Sequence, residues 1–244
     1  MAAFTVTNPK QAWYGESIGI MILDASYPCV PGNVGNASTF PFPVRYEKIE
    51  GASIDRLINQ QDPELVTPFI EAAQRLYDAG VHAITGACGF MALFQQEVQQ
   101  ALKIPVFLSP LLQLPFMYQI TGKKVGIITA DATNLRSKHF SSTGVPEGFP
   151  TVIAGMENQP EFSSAILKEK GTLDSDKIEG EIVGVAKELV SQHPDIGSIL
   201  LECSDLPPYA HAIQAAVGLP VFDFFTMINY VHTTIIRTPF TGFL

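Results

Sequence analysis

An internal duplication constrains this chain more than any other feature. The run Val81–Cys88 leads through a helical stretch to Ile104-Pro105-Val106-Phe107. The run Ile196–Cys203 leads through another to Leu219-Pro220-Val221-Phe222. The cysteines are 115 residues apart (203 − 88), and so are the prolines (220 − 105). The unit between them has neither gained nor lost a residue. A second pair of segments repeats ahead of these. Ile18–Ser26 aligns without gaps on Val125–Thr133, at an offset of 107 (126 − 19). The difference between the two offsets fits a surface-loop insertion in the second copy. Two copies of a strand-to-Asp, strand-to-Cys unit predict two similar lobes, each with one thiol facing a shared pocket. Such a pair suits proton removal on one face of a carbon and delivery on the other.

The elements agree with that reading. Apolar runs alternate with helical patterns, which predicts an α/β fold with a mainly parallel sheet in each lobe. Strands are expected at Ser17–Leu23, Val44–Ile49, Val81–Thr85, Ile104–Leu108, Val125–Ala130 and Thr151–Ala154. Asp62-Pro63-Glu64 opens a helix with an N-cap Asp, a Pro in the first turn and an acid behind it, running to about Asp78 and stopping at Gly80. A helix should follow Cys88 as far as about Leu102, and Leu111–Ile120 should be helical despite Pro115. Asp174 caps a helix to Gln192, ended by Pro194. The lobes are placed at 1–118 and 119–224, with 225–244 folding back onto the first. The turn-rich stretch 31–43 reads either as a surface loop or as a loop lining the site.

Composition excludes several classes. With 46% hydrophobic and 16% charged residues, the chain buries a substantial core. A net charge of −9 argues against a nucleic-acid surface. No apolar stretch reaches the ~20 residues of a membrane span. The first residues lack the pattern of a secretory signal, so a cytoplasmic protein is expected. Three cysteines without a CxxC or Cys/His cluster argue against a disulfide framework and against a metal site. The glycine-containing loops match neither dinucleotide-binding nor P-loop patterns.

Cys88 and Cys203 each follow the carboxyl end of a strand and precede a helix, where open α/β sheets bind ligands. A helix N-terminus there would favour the thiolate. Cys29 has no counterpart in the second copy, since Arg136 stands at the equivalent position; it is assigned to loop packing. Asp24 is a candidate to orient or deprotonate a thiol, and Asp131 a weaker one. Thr129 and Asn134 are candidate hydrogen-bond donors to an anionic substrate. Glu202 precedes Cys203 and reads either as an acid/base group or as a solvent-facing side chain. His82 and His211 read as structural or exposed, and His139 reads as structural, with the cleft as the alternative.

These residues resemble the aspartate/glutamate racemase superfamily over nearly the whole chain. The resemblance implies a cofactor-independent enzyme with its active site between two lobes, acting on a small anionic substrate, with oligomerisation by analogy. It implies that Cys88 and Cys203 are the two acid/base groups, that Asp24 assists the first, and that Ser26 holds substrate. The sequence departs from the amino-acid racemases where they read Cys-Asn-Thr and Cys-Thr-His: here stand Cys88-Gly89-Phe90 and Cys203-Ser204-Asp205. Gly89, Phe90 and Ser204 thus become substrate-contact candidates for a different acid. The expected activity is racemisation or epimerisation next to a carboxylate or carbonyl. The alternatives are a lyase, decarboxylase or cis–trans isomerase using one thiol, and a non-catalytic small-carboxylate binder. The superfamily includes hydantoin racemases, maleate isomerases, arylmalonate decarboxylases and a lyase of dimethylsulfoniopropionate.

Overall fold

A computed structural model describes residues 3–6, 8, 9 and 11–243. Two four-stranded parallel sheets carry the fold. The first contains β1 (Ile18–Ile22), β2 (Val44–Lys48), β3 (Ala83–Gly86) and β4 (Val106–Phe107), in the order β2-β1-β3-β4. The second contains β5 (Lys124–Thr129), β6 (Thr151–Gly155), β7 (Ile196–Leu201) and β8 (Val221–Phe222), in the order β6-β5-β7-β8. The two orders are the same, so the duplicated sequence is a duplicated topology. Every strand pair is parallel. Burial on both faces explains why the central strands read as continuous apolar runs.

The matched glycines of β1 and β5 have one physical cause. A Cβ on Gly19 would crowd Leu76 in the helix Val66–Asp78, and one on Gly126 would crowd Ile199, Ile196 and Leu189, the last in the helix Ser175–Gln192. Each lobe uses glycine to bring a crossing helix close to its sheet.

Helix ends follow their signals. The Asp62 side chain accepts from the Glu64 N–H, and a 3-10 turn over Pro63–Leu65 leads into the helix Val66–Asp78. Pro115 sits in the first turn of the helix Leu114–Thr121, where its missing N–H costs nothing. The Asp174 carboxylate caps Ser175–Gln192 through the Lys177 N–H at 3.2 Å.

Two features differ from the sequence expectations. The single helix expected after Cys88 is a 3-10 segment, Gly89–Phe94, followed by a short α-helix, Gln95–Ala101. Every residue of Gly89–Phe94 is buried, so this run has no solvent face to set helical amphipathicity. The Gln95 amide fixes its end by donating to Val106 O and accepting from Leu108 N–H. Further, each lobe carries a π-helical turn after its second strand, at Asp55–Asn59 and Ser163–Leu167. Each turn is closely followed by a non-glycine residue with left-handed backbone, Gln61 (φ 50°) and Glu169 (φ 49°). Such residues hold a conformation that side chains disfavour, and they cluster at functional sites.

The helix Phe224–Ile235 packs Phe224, Met227 and Ile228 against Ile18, Ile20, Ala83 and Phe107 of the first sheet. The remaining core runs continuously from one sheet to the other. No helix among the described residues is long and apolar enough to cross a membrane.

Candidate active site

β3 and β7 occupy equivalent places beside the central strand of each sheet. The chain leaves β3 through Ala87 and Cys88, and β7 through Glu202 and Cys203. Both thiols therefore arrive at carboxyl-terminal sheet edges. They line one cavity between the lobes, together with Gly89, Phe90, Ser204 and Asp205. Its walls are apolar and doubled like the sequence: Ile54 and Ile58 come from the first π-helical turn region, Ile166 and Leu167 from the second, with Leu23 and Tyr27 from the loop after β1. The free space within it is about 20 Å³, room for roughly one water molecule. A substrate does not fit in that space, so the arrangement is a closed one and binding requires the lining residues to move.

Burial and charge set the protonation states. Burial pushes the Cys88 thiol far up, and the neighbouring Glu202 adds to it. The N–H groups of Phe90 and Met91 oppose this without reversing it. Cys203 is raised well above the ordinary thiol value by burial, then by Asp205. The expectation that a helix N-terminus lowers both thiols is overturned. The turn at Cys88 supplies two N–H groups, which burial outweighs. Cys203 sits in a turn that reaches the helix Ala210–Val217 only through a 3-10 segment, Pro207–Tyr209. Both thiols are protonated at neutral pH in the closed form.

Two carboxyl groups accompany them. Asp205 Oδ2 accepts from Cys203 Sγ at 3.4 Å and Oδ1 accepts from Asn33 Nδ2 at 2.5 Å. Burial pushes Asp205 up to about 6. Glu202 is fully buried; its Oε2 accepts from Thr129 Oγ1 at 2.8 Å, and burial pushes it up to about 7. Glu202 Oε1 has no hydrogen-bond partner among the described residues. None of the cavity-lining residues is Lys, Arg or His.

Several candidate residues take other roles. Asp24 is turned to solvent, 46% exposed at its side chain, and pairs with Lys48 at 3.3 Å; it does not line the cavity. Ser26 is exposed, and its backbone N–H donates to Glu169 Oε1 at 2.5 Å. Thr129 is bound to Glu202, so it positions that carboxyl. Asn134 donates to Asp131 Oδ2 and to Asn59, outside the cavity. The Asp131 carboxylate caps its own turn by accepting from Thr133 and Asn134. From the loop after β1, Leu23 and Tyr27 line the cavity instead.

Other expectations meet the structure more directly. Cys88, Cys203, Gly89, Phe90 and Ser204 all line the cavity. The Ser204 hydroxyl donates to Ala87 O at 2.6 Å, tying the two thiol-bearing turns together. A Cβ on Gly89 would overlap Glu202 Oε1, Cδ and backbone O, so glycine here makes room for the buried carboxyl. Phe90 stands edge-on to His139 at 5.0 Å. His139 is buried behind it and lowered to about 4 by desolvation, hence neutral. Cys29 is outside this cavity. It lines an adjoining one that shares Leu23, Tyr27 and Ala87, and burial pushes it up to about 11.

Sequence reasoning missed Tyr27, Asn33 and the four apolar wall residues. The 31–43 loop does not line the cavity but braces its second turn from outside. Val34 N–H donates to Ser204 O at 3.3 Å, while Asn33 holds Asp205. A signal for Asn33 existed in the polar, turn-rich composition of that loop; none marked the wall residues.

Two parallel-sheet lobes that set a thiol each against one cavity define a class of two-lobed α/β folds. The family described as Asp/Glu/Hydantoin racemase matches residues 52–228, and this chain belongs to it. A dimethylsulfoniopropionate lyase of Durusdinium sp. clade D is 32% identical over 234 residues, covering 93% of this chain and 77% of that protein. Dimethylsulfoniopropionate lyase 3 of Emiliania huxleyi is 32% identical over 237 residues, covering 93% of this chain; the chain spans 61% of that relative's length. Among solved structures, allantoin racemase from Pseudomonas fluorescens superposes with a TM-score of 0.62 at 15% identity, covering 90% of this chain and 91% of that one. A mutant of arylmalonate decarboxylase superposes with a TM-score of 0.60 at 15% identity, covering 88% and 92%. These structures share the fold.

Proposed function

We propose that the protein is a lyase that eliminates dimethyl sulfide from dimethylsulfoniopropionate, leaving acrylate. The observation that carries this is the lining of the cavity, which holds two carboxyl groups and a tyrosine and no basic side chain. An amino diacid would bring a second carboxylate that no basic group lining the cavity could pair. A sulfonium zwitterion brings its own positive charge. That charge favours ionised neighbours, so substrate binding itself draws the raised thiols toward the thiolate. The names of the lyase relatives support the same reading over that of an isomerase.

Cys203 is the base in this scheme, because its Sγ already donates to Asp205. The thiol passes its proton to Asp205, and the thiolate takes a proton from the carbon next to the substrate carboxylate. That electron pair forms the carbon–carbon double bond. The carbon–sulfur bond breaks, and its pair leaves on neutral dimethyl sulfide. Cys203 is then a thiol again, and the proton on Asp205 is released when the lobes open. A thiol with a high pKa is scarce as thiolate but strong as a base, and the raised Asp205 narrows the gap it must cross. Retention of both thiols favours racemisation as the second reading, in which Cys88 protonates the opposite face.

Purified protein is incubated with dimethylsulfoniopropionate and headspace dimethyl sulfide is measured. In parallel, aspartate, glutamate and allantoin are followed in heavy water for α-proton exchange. The lyase reading expects dimethyl sulfide, a loss of about 100-fold or more in kcat for Cys203→Ser, and a smaller loss for Cys88→Ser. Exchange on an amino acid without dimethyl sulfide release, abolished by either serine variant, would establish the racemase instead.

A further inference from the structure

A cavity without a cation leaves the substrate's carboxylate without an evident partner. We propose that Glu202 is held as the neutral acid and binds that carboxylate through a hydrogen bond donated by Oε1–H. This rests on the carboxylate-bearing substrate proposed above, though not on sulfonium chemistry.

Three observations converge. Glu202 lines the cavity, and its Oε1 is buried without a partner among the described residues. An orphaned oxygen in a buried carboxyl is costly unless a ligand satisfies it. The other oxygen, Oε2, accepts from Thr129 Oγ1, which leaves Oε1 as the oxygen to carry the proton. The residue cannot drift. Its N–H donates to Ile128 O at 2.9 Å, and Gly89 is bare where a Cβ would overlap the carboxyl.

The groups facing Glu202 fix its charge. Cys88 faces it from the turn after β3, Thr129 from the end of β5, Cys203, Ser204 and Asp205 from its own turn, and Tyr27 from the loop after β1. None is cationic, and His139 behind Phe90 is neutral. A bound carboxylate beside an ionised Glu202 would place two negative charges in hydrogen-bond range, so the pair shares one proton. The shared proton gives a charge-assisted bond. It sets the carboxylate one residue from Cys203, with the adjacent carbon toward the thiol. Ionised Glu202 repels the ligand, so affinity falls where Glu202 titrates, with burial pushing it up to about 7.

Propionate tests this without turnover. Its binding is measured by calorimetry between pH 5.5 and 9 on the wild type and on Glu202→Gln, Glu202→Ala and Thr129→Val, with circular dichroism confirming each fold. In the wild type, Kd is expected to rise about tenfold per pH unit above the titration of Glu202. Glu202→Gln donates from its amide at every pH, so this limb should vanish while any contribution from Asp205 remains. Glu202→Ala should bind weakly throughout. Thr129→Val removes a bond that favours the ionised form, so the limb should move to higher pH. An unchanged limb in Glu202→Gln, or no propionate binding to the wild type at pH 6, overturns the proposal. If the limb behaves as expected but no dimethyl sulfide forms, the carboxylate site stands and the lyase reading falls.

Discussion

Replacing Glu202 by Gln should remove a loss of stability that the wild type suffers as pH rises toward 8, by an amount the structure supplies. Burial raises the Glu202 carboxyl from 4.5 to about 7. In the unfolded chain it releases its proton near 4.5. Between these values the folded state holds more protons than the unfolded state. Wild-type stability therefore falls as pH rises through that window and levels off above about 7. The window spans about 2.5 pH units at about 1.4 kcal/mol each, so the ionisable side chain costs about 3.5 kcal/mol at pH 8, of which about 3 kcal/mol develops above pH 4.5. Gln fills the same space and does not titrate. The difference between variant and wild type should thus grow by about 3 kcal/mol from pH 4.5 to pH 8, whatever constant offset the amide introduces. Asp205, raised from 3.8 to about 6, contributes a similar slope to both proteins and cancels. Urea unfolding followed by circular dichroism at half-unit pH steps gives the comparison, and the midpoints should diverge by about 1 M. A difference that stays flat across this range would refute the neutral, buried state of Glu202 and with it the origin of the pH-dependent binding.

Two other outcomes follow from the packing. Gly89→Ala forces a methyl into both the side chain and the backbone carbonyl of Glu202. It should cost about 1–3 kcal/mol, lower Tm by several degrees in a thermal melt, and abolish propionate binding; a variant that binds normally would show that Gly89 is not needed for room. Among the bonds that bridge the two lobes, two are reciprocal and at matched positions: Gln61 Nε2 donates to Asn134 O at 2.8 Å, and Glu169 Oε1 accepts from Ser26 N–H. Removing both in Gln61→Ala/Glu169→Ala should let the lobes part more often and speed iodoacetamide labelling of Cys88 and Cys203 about tenfold, with Cys29 as the internal reference; unchanged rates would exclude these bonds as the clasp.

Much of the fold was legible because duplication leaves a measurable trace. Equal offsets between the cysteines and the prolines required matched lobes, and the strand order is indeed repeated. The Asp62 and Asp174 caps were legible because capping is local chemistry. The 3-10 run after Cys88 was not, because its conformation answers to burial on every side. The π-helical turns were also invisible, since no residue preference marks them.

The site divides along the same line. The sequence by itself determined that two thiols lie at equivalent strand ends, since covalent spacing and strand periodicity suffice for that. It also carried Gly89 and Asp205 as departures from the amino-acid racemases. Tertiary structure alone decided the electrostatics. It turned Asp24 and Ser26 outward, enclosed Glu202 and Asp205 without a cation, and brought Asn33 from a distant loop onto Asp205. Protonation depends on desolvation and on charges gathered from separate segments, and neither is a property of neighbouring residues in the chain. Burial reversed the expected thiol pKa, although the positions of the thiols were read correctly.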